Sequence, residues 1–228
     1  MGDNRLTKAI CIVGVGHLGS MLADPLARMG KNIVAVDYDR VEAHNLENQA
    51  FFHEEVGTPK VEALANRLNH LHRGRVLPIA FHFEHLDVRQ VLADTNLVIC
   101  VVDAPLTRMN VARVSRSLHL PVLFAGMDVL GNTGELLYQS TNSDGACWGC
   151  HSSNEDPPVS CEVVRDPTAM SLGFHIVAHT LSTTLSIISG SPPTKPLLRL
   201  RANGDSVWVD VARRPGCKVC PGAHYLRS

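Results

Sequence analysis

Gly14-Val15-Gly16-His17-Leu18-Gly19, following at once on Ala9-Ile10-Cys11-Ile12-Val13, is the stretch on which the fold turns. A short, unbroken apolar run fits a strand covered on both faces. From Leu18 the apolar residues recur at helical spacing through Leu22 and Leu26 to Gly30, placed to end a helix. Ile33-Val34-Ala35-Val36 then predicts a second buried strand running into acids, and the three pieces make a βαβ opening. Outward from it, Thr58 or Pro59 starts a helix carrying Val61, Leu64, Ala65 and Leu68, with strands expected at 75–83, 96–103 and 121–125 and a helix ending near Leu118. That alternation predicts an α/β fold, a Rossmann-like, mostly parallel sheet with helices on both faces. Beyond 130 the texture changes to an extra strand at 134–140, a polar, Pro-bearing stretch at 152–167, a helix at 168–189 and a hairpin around Asn203-Gly204. The expected organisation is a single domain over 1–228, with a nucleotide-binding part at 1–130 and a C-terminal part at 131–228 that includes a crossover segment.

Composition narrows the function. Apolar residues are 45% and charged residues 19% of 228, an ordinary globular balance. With 21 Lys and Arg against 22 Asp and Glu there is no global field to gather nucleic acid or an anionic membrane, so neither is an expected partner. The weakly polar stretch 169–190 is interrupted by His175, His179 and hydroxyl residues, and no transmembrane segment is expected from it. The N-terminus lacks the residue order of a secretory signal, and the expected location is cytoplasmic.

Seven cysteines, an odd count, do not read as a disulfide framework. Four fall into matched pairs, Cys147-Trp148-Gly149-Cys150 and Cys217-Lys218-Val219-Cys220, the spacing by which a loop supplies two corners of a tetrahedral zinc site. The alternative is two unrelated pairs or a redox dithiol, but neither pair reads as opening a helix after a strand. Four thiolates leave no open position, so Zn2+ here is expected to be structural, stapling the C-terminal excursion to the sheet, with Arg213, Arg214 and Lys218 offsetting its charge. Cys11 and Cys100 lie within strands and read as core.

Gly14, Gly16 and Gly19 lie where a phosphate loop requires them, after a strand and opening a helix. Asp37 follows Gly19 by 18 residues, at the end of the second strand, placed to accept from ribose hydroxyls. A nicotinamide-dependent dehydrogenase would share these features. What separates the readings is Asp37-Tyr38-Asp39-Arg40-Val41 running into Asn45-Leu46-Glu47-Asn48-Gln49 and Gly57-Thr58-Pro59-Lys60-Val61, then Asp103 with Arg108 five residues on, then both cysteine pairs. This ordered set, over nearly the whole chain, resembles the ThiF, MoeB and ubiquitin-activating enzyme superfamily.

The resemblance implies magnesium- and ATP-dependent adenylation of the C-terminal glycine carboxylate of a small ubiquitin-like or sulfur-carrier protein. It implies Lys60 on the phosphates, Asp37 on the ribose, Asp39, Asn45 and Gln49 lining the nucleotide pocket, Asp103 near the α-phosphate and Mg2+, and Arg108 as a second cation. Cys161 matches a crossover cysteine that in some relatives carries a thioester, and an inert thiol is the equal alternative. The residues also have plainer readings: Asp103 as a helix N-cap before Ala104-Pro105, Lys60 as a solvated helix residue, Asn45 as a turn residue. Position 48 is Asn where the family carries a phosphate-contacting arginine, and His17 stands where relatives carry glycine. A homodimer, or a heterodimer with a homologue, is therefore expected to complete the site, Arg5 being one candidate for the missing charge. A degenerate scaffold subunit and an adenylating enzyme for short peptides are the competing functions.

Overall fold

In the computed structural model, which describes residues 8–71, 74–128, 130–142, 145–152 and 167–220, the opening apolar run forms β1 (Ala9–Val13). The phosphate-loop glycines lead into α1 (His17–Arg28), and β2 (Ile33–Val36) follows. The chain continues through α2 (Lys60–Leu71), β3 (Val76–Ile79), α3 (Val88–Leu92), β4 (Thr95–Cys100), α4 (Pro105–Ser117) and β5 (Val122–Met127). The remainder is β6 (Thr133–Gln139), α5 (Trp148–His151), α6 (Pro167–Ile188), β7 (Leu197–Arg201) and β8 (Ser206–Val209).

The eight strands among the described residues join one sheet in the order β3-β2-β1-β4-β5-β6-β7-β8. The pairs from β3 to β5 are parallel, and the added strands β6, β7 and β8 pair antiparallel. The mostly parallel α/β architecture expected from the alternation is thus what forms. Strand order reverses on either side of β1, so the gap beyond the ends of β1 and β4 is the topological switch point where such sheets take ligands. Register makes that gap a level edge, with Val13 paired to both Val36 and Cys100. Gly14, Asp37 and Val101 are thereby carried to one place.

Alternation along β1 sends Ile10 and Ile12 into one core and Cys11 and Val13 into the other. The first is filled by Leu22 and Leu26 of α1, Leu64 and Leu68 of α2, and Leu172 and Ile176 of α6, and the second by Val111 of α4 with the four paired cysteines. Complete burial of Leu22 and Leu26 contributes roughly 1.5–3 kcal/mol for each side chain. Ala169–Ile188 is long and apolar enough to cross a membrane by length and composition alone. Its buried residues Leu172, Ile176, Thr180 and Thr184 belong to a face that packs on α1 and on β5, β6 and β7.

Two strands are shorter than the sequence pattern suggests. Only Val76–Ile79 pairs in the 75–83 run, and Phe83–His85 closes instead into a 3-10 turn. The run at 96–103 stops pairing at Cys100 because its neighbour β1 ends at Val13, where Gly14 turns away. Val101 still donates its backbone N–H to the Val13 carbonyl at 2.9 Å, and Val102 and Asp103 go on as a lip beyond the sheet.

That lip is pressed against the glycines. A Cβ on Gly14, whose φ is +94°, would lie 2.8 Å from Val102 Cγ1, and one on Gly19 would lie 2.0 Å from the Gly14 carbonyl oxygen. Gly19→Ala is expected to force α1 off the loop and destabilise the protein by about 1–3 kcal/mol in urea unfolding. An unchanged unfolding midpoint would contradict this packing.

Candidate nucleotide site and cysteine centre

The lip and the glycine loop enclose the N-terminus of α1. Gly16 occupies the N-cap position, no side chain caps the helix, and no acid stands in its first turn. Its first N–H groups therefore face the switch point without intrahelical partners, the arrangement that receives a phosphate. A Cβ on Gly16 would have nothing nearer than Gln49 Nε2 at 4.0 Å. Gln49 is 9% exposed, and its Oε1 is buried with no hydrogen-bond partner among the described residues. An orphaned acceptor beside an open glycine loop is a group placed for a ligand.

Asp37 organises the other wall. Its Oδ2 accepts from Val15 N at 2.6 Å and its Oδ1 from Asp39 N at 2.9 Å. Burial raises this carboxyl above its ordinary range, opposed by those two N–H groups and by Lys60. Each oxygen retains acceptor capacity for a ribose hydroxyl, so the residue expected to bind sugar also braces the loop. Lys60, the first residue of α2, is 5% exposed and donates from Nζ to Asp39 Oδ2 at 3.1 Å. A cation at the positive end of a helix needs such a partner. The solvated reading of Lys60 is thereby ruled out.

Asn45 accepts at Oδ1 from Glu42 N at 2.9 Å, so its turn-forming role is realised, within a buried wall that also carries Gln49. Asp103 is exposed at the end of the lip. The N-cap of α4 is Ala104, without a side-chain capping bond, so Asp103 does not serve as the cap. Its carboxylate is left without a capping role at the switch point. At the rim, Tyr38 and His82 stack with ring centroids 3.6 Å apart, a pairing that histidine spacing did not signal.

Arg108 departs from expectation. It is 8% exposed, donates from Nε to the Val102 carbonyl at 2.6 Å and from Nη2 to the Ala125 carbonyl at 2.7 Å, and lies 4.7 Å over the Trp148 ring. Two donors and the cation's face are taken by the protein itself, so Arg108 is corrected from a phosphate-facing cation to a clamp across the ends of β4 and β5.

His17 also finds a different place. It is 7% exposed, and its Nδ1 hydrogen-bonds the Asn48 carbonyl, leaving the buried Nε2 without a partner among the described residues. The ring fills space that Gly173 of α6 leaves, where a Cβ would lie 2.3 Å from Nε2. With Ala50 N donating to Ser20 Oγ at 3.0 Å, His17 ties the Asn45–Gln49 wall to α1. Cys161 and Arg5 lie outside the described residues.

The four paired cysteines converge in the second core. Cys147 Sγ lies 3.7, 3.5 and 3.5 Å from the sulfurs of Cys150, Cys217 and Cys220, and Cys150 to Cys220 is 3.3 Å. A tetrahedron with Zn–S bonds of about 2.3 Å has edges of about 3.8 Å, so four thiolates here fit the ion with modest expansion. The backbone N–H of Arg214 donates to Cys150 Sγ at 3.4 Å, a contact that favours thiolate. Contrary to expectation the first pair does open a helical turn, α5, but the second pair closing over it removes the redox-dithiol reading.

A model of the ThiF family matches residues 3–219 of the chain. Ubiquitin-like modifier-activating enzyme 5 of Aedes aegypti is 27% identical over 197 residues, covering 80% of this chain and 48% of that protein. The chain spans about half the length of the curated relatives it matches. The crystal structure of E. coli MccB with ATP superimposes with a TM-score of 0.71 at 18% identity, covering 94% of this chain and 67% of that one. PaaA gives 0.71 at 16% identity, covering 92% and 66%. At these identities the structural likeness establishes the fold.

Two outcomes follow from the geometry. Purified protein should carry about one zinc per chain, and serine at Cys217 and Cys220 should remove it and lower the thermal midpoint; folded, soluble protein without metal would contradict the site. Burial lowers the His17 pKa. The unfolded chain then takes up a proton near pH 6.5 that the folded chain resists, so this contribution is intact above that pH and is lost as pH falls below it. His17→Gln should flatten the fall in thermal midpoint between about pH 7 and about pH 5, and identical pH profiles would contradict the burial account.

Proposed function

The chain belongs to the ThiF family, and from that premise we propose that it is a magnesium- and ATP-dependent adenylyltransferase acting on the C-terminal carboxylate of a small ubiquitin-like or sulfur-carrier protein. The observation that carries the reading is the orphaned Gln49 Oε1 beside the uncapped start of α1, with the buried Lys60 and the braced Asp37 forming the same rim. An ATP triphosphate fits over Gly14 to Gly19, with its ribose on Asp37 and Lys60 beside its charge. Asp103 would hold Mg2+ together with phosphate oxygens, as that ion is usually held by one or two carboxylates plus phosphate. Magnesium there supplies charge neutralisation of the phosphates.

In the reaction the carrier's carboxylate oxygen bonds to the α-phosphorus, the bond to the bridging oxygen of the β-phosphate breaks, and pyrophosphate departs with that electron pair. Anion meets anion, so the work of the protein is to position and to spread positive charge. A thiol at Cys161 would take the acyl group in a second step, releasing AMP. The proposed location is the cytosol, whose reducing conditions keep such cysteines available as zinc thiolates.

Charge is scarce in this site. Arg108 is engaged by carbonyls, Lys60 is paired with Asp39, and position 48 is Asn. We therefore include a second chain in the reading, identical or homologous, that supplies an arginine. One well-placed donor or cation contributes on the order of 3 kcal/mol to such a barrier, a factor of about 100 in rate.

Carrier-dependent exchange of pyrophosphate into ATP tests the function. Asp103→Ala should reduce exchange by about 100-fold or more in folded protein, and Lys60→Ala should cost a similar factor. Cys161→Ser should leave exchange intact and remove only a covalent conjugate. Exchange with peptides alone would move the substrate to a short peptide, and none with any carrier from a confirmed dimer would favour the scaffold function. Sedimentation across a concentration series should show activity rising with association. Full activity from a strictly monomeric preparation would contradict the second-chain requirement.

A further inference from the structure

Trp148 lies between the two cysteines of the first pair, yet its contacts reach toward the nucleotide end of the sheet. Its ring centroid is 5.2 Å from that of Phe124 on β5, and the Arg108 guanidinium carbon stands 4.7 Å from it. Its backbone N–H donates to Gln139 Oε1 at 3.3 Å, and Gln139 Nε2 donates to the Ala112 carbonyl of α4 at 2.9 Å, so knuckle, β6 and α4 are joined beneath the stack. Arg108 reaches on from there to the Val102 carbonyl on the lip and the Ala125 carbonyl on β5. Val102 is the residue whose side chain and backbone N close against Gly14, and the next residue is Asp103.

Volume filling does not explain a guanidinium here. Burial lowers the Arg108 pKa and outweighs Asp103 and Glu135, which favour the charge from outside ion-pair contact, so the hydrogen bonds to carbonyls carry much of the compensation. A Met or Leu would fill the space without desolvating a charge. What the guanidinium adds is a planar fork that holds carbonyls from two neighbouring strand ends at fixed separation, with a broad aromatic face to rest on. Gly126 leaves room for the fork, since a Cβ there would lie 2.8 Å from Arg108 Nη2.

We propose that Trp148 and Arg108 are positioning residues through which the cysteine knuckle sets the lip at Val102 and Asp103. The knuckle then fixes the reacting end of the site as well as stapling the C-terminal excursion. Asp103 is exposed two residues beyond the last backbone bond to β1, at Val101, and without the clamp its carboxylate would sample a wider range of positions. The kinetic consequence rests on the adenylation reading; the effect on the lip does not.

The test uses the 228-residue chain loaded with zinc, with Trp148→Leu, Trp148→Phe and Arg108→Lys. Hydrogen exchange at residues 100–104 and 124–127 reports the lip directly, whatever reaction the protein catalyses. Trp148→Leu is expected to keep its zinc, to lose about tenfold or more of the protection at Val101, whose N–H is held by the Val13 carbonyl, and to lower kcat for pyrophosphate exchange with little change in the KM for ATP. Trp148→Phe, which keeps an aromatic face, should restore most of both. Arg108→Lys keeps the charge without the fork and should behave like Trp148→Leu. If Trp148→Leu sheds zinc or fails to fold, Arg108→Lys, which leaves the knuckle untouched, decides the matter. Parental protection at the lip in that variant overturns the proposal, as does a loss of protection spread evenly over the sheet. A loosened lip with unchanged kcat would overturn the kinetic part and count against Asp103 as the reacting-end acid.

Discussion

At the end of β1 the backbone has no room for a methyl group, and the rest of the site follows from that closeness. Gly14 turns against Val102, and Gly19 brings the first turn of α1 onto the Gly14 carbonyl. The parallel register delivers Val13, Val36 and Cys100 to one level. Three chain segments therefore leave the sheet together, one opening a helix, one carrying Asp37 and one carrying Asp103. A side chain at either glycine would separate them.

Charge is distributed around this edge with economy. The start of α1 offers backbone N–H groups in place of side-chain cations, and Asp37 holds the loop just before it in shape by accepting from Val15 N. Lys60 is paired with a half-exposed Asp39. Arg108, the other cation near the strand ends, is given over to geometry. For this reason the proposed function includes a second chain and a metal brought in with the nucleotide.

The parts legible in the sequence are those that depend on local backbone demands. Glycines at 14, 16 and 19, an acid at the end of β2, and two Cys-x-x-Cys turns each state their requirement within a few residues. The strands and helices of the parallel half were equally readable from unbroken apolar runs. Arg108, His17 and Trp148 were not, because their roles are set by partners far along the chain. Arg108 reaches a carbonyl 17 residues on, and His17 one 31 residues on. A basic residue one turn into a helix at the switch point reads as a ligand contact whether it faces phosphate or carbonyl; only its burial separates the two. The ends of β3 and β4 were overextended because apolar character continues where strand partners do not.

Calorimetric titration of the parent protein and of Asp37→Ala with ATP and with NAD, each with magnesium, tests the central claim most directly. The account predicts that ATP binds in preference to NAD and that Asp37→Ala weakens ATP by about tenfold or more while the chain stays folded. Preferential binding of NAD, or an ATP affinity indifferent to Asp37, would contradict it.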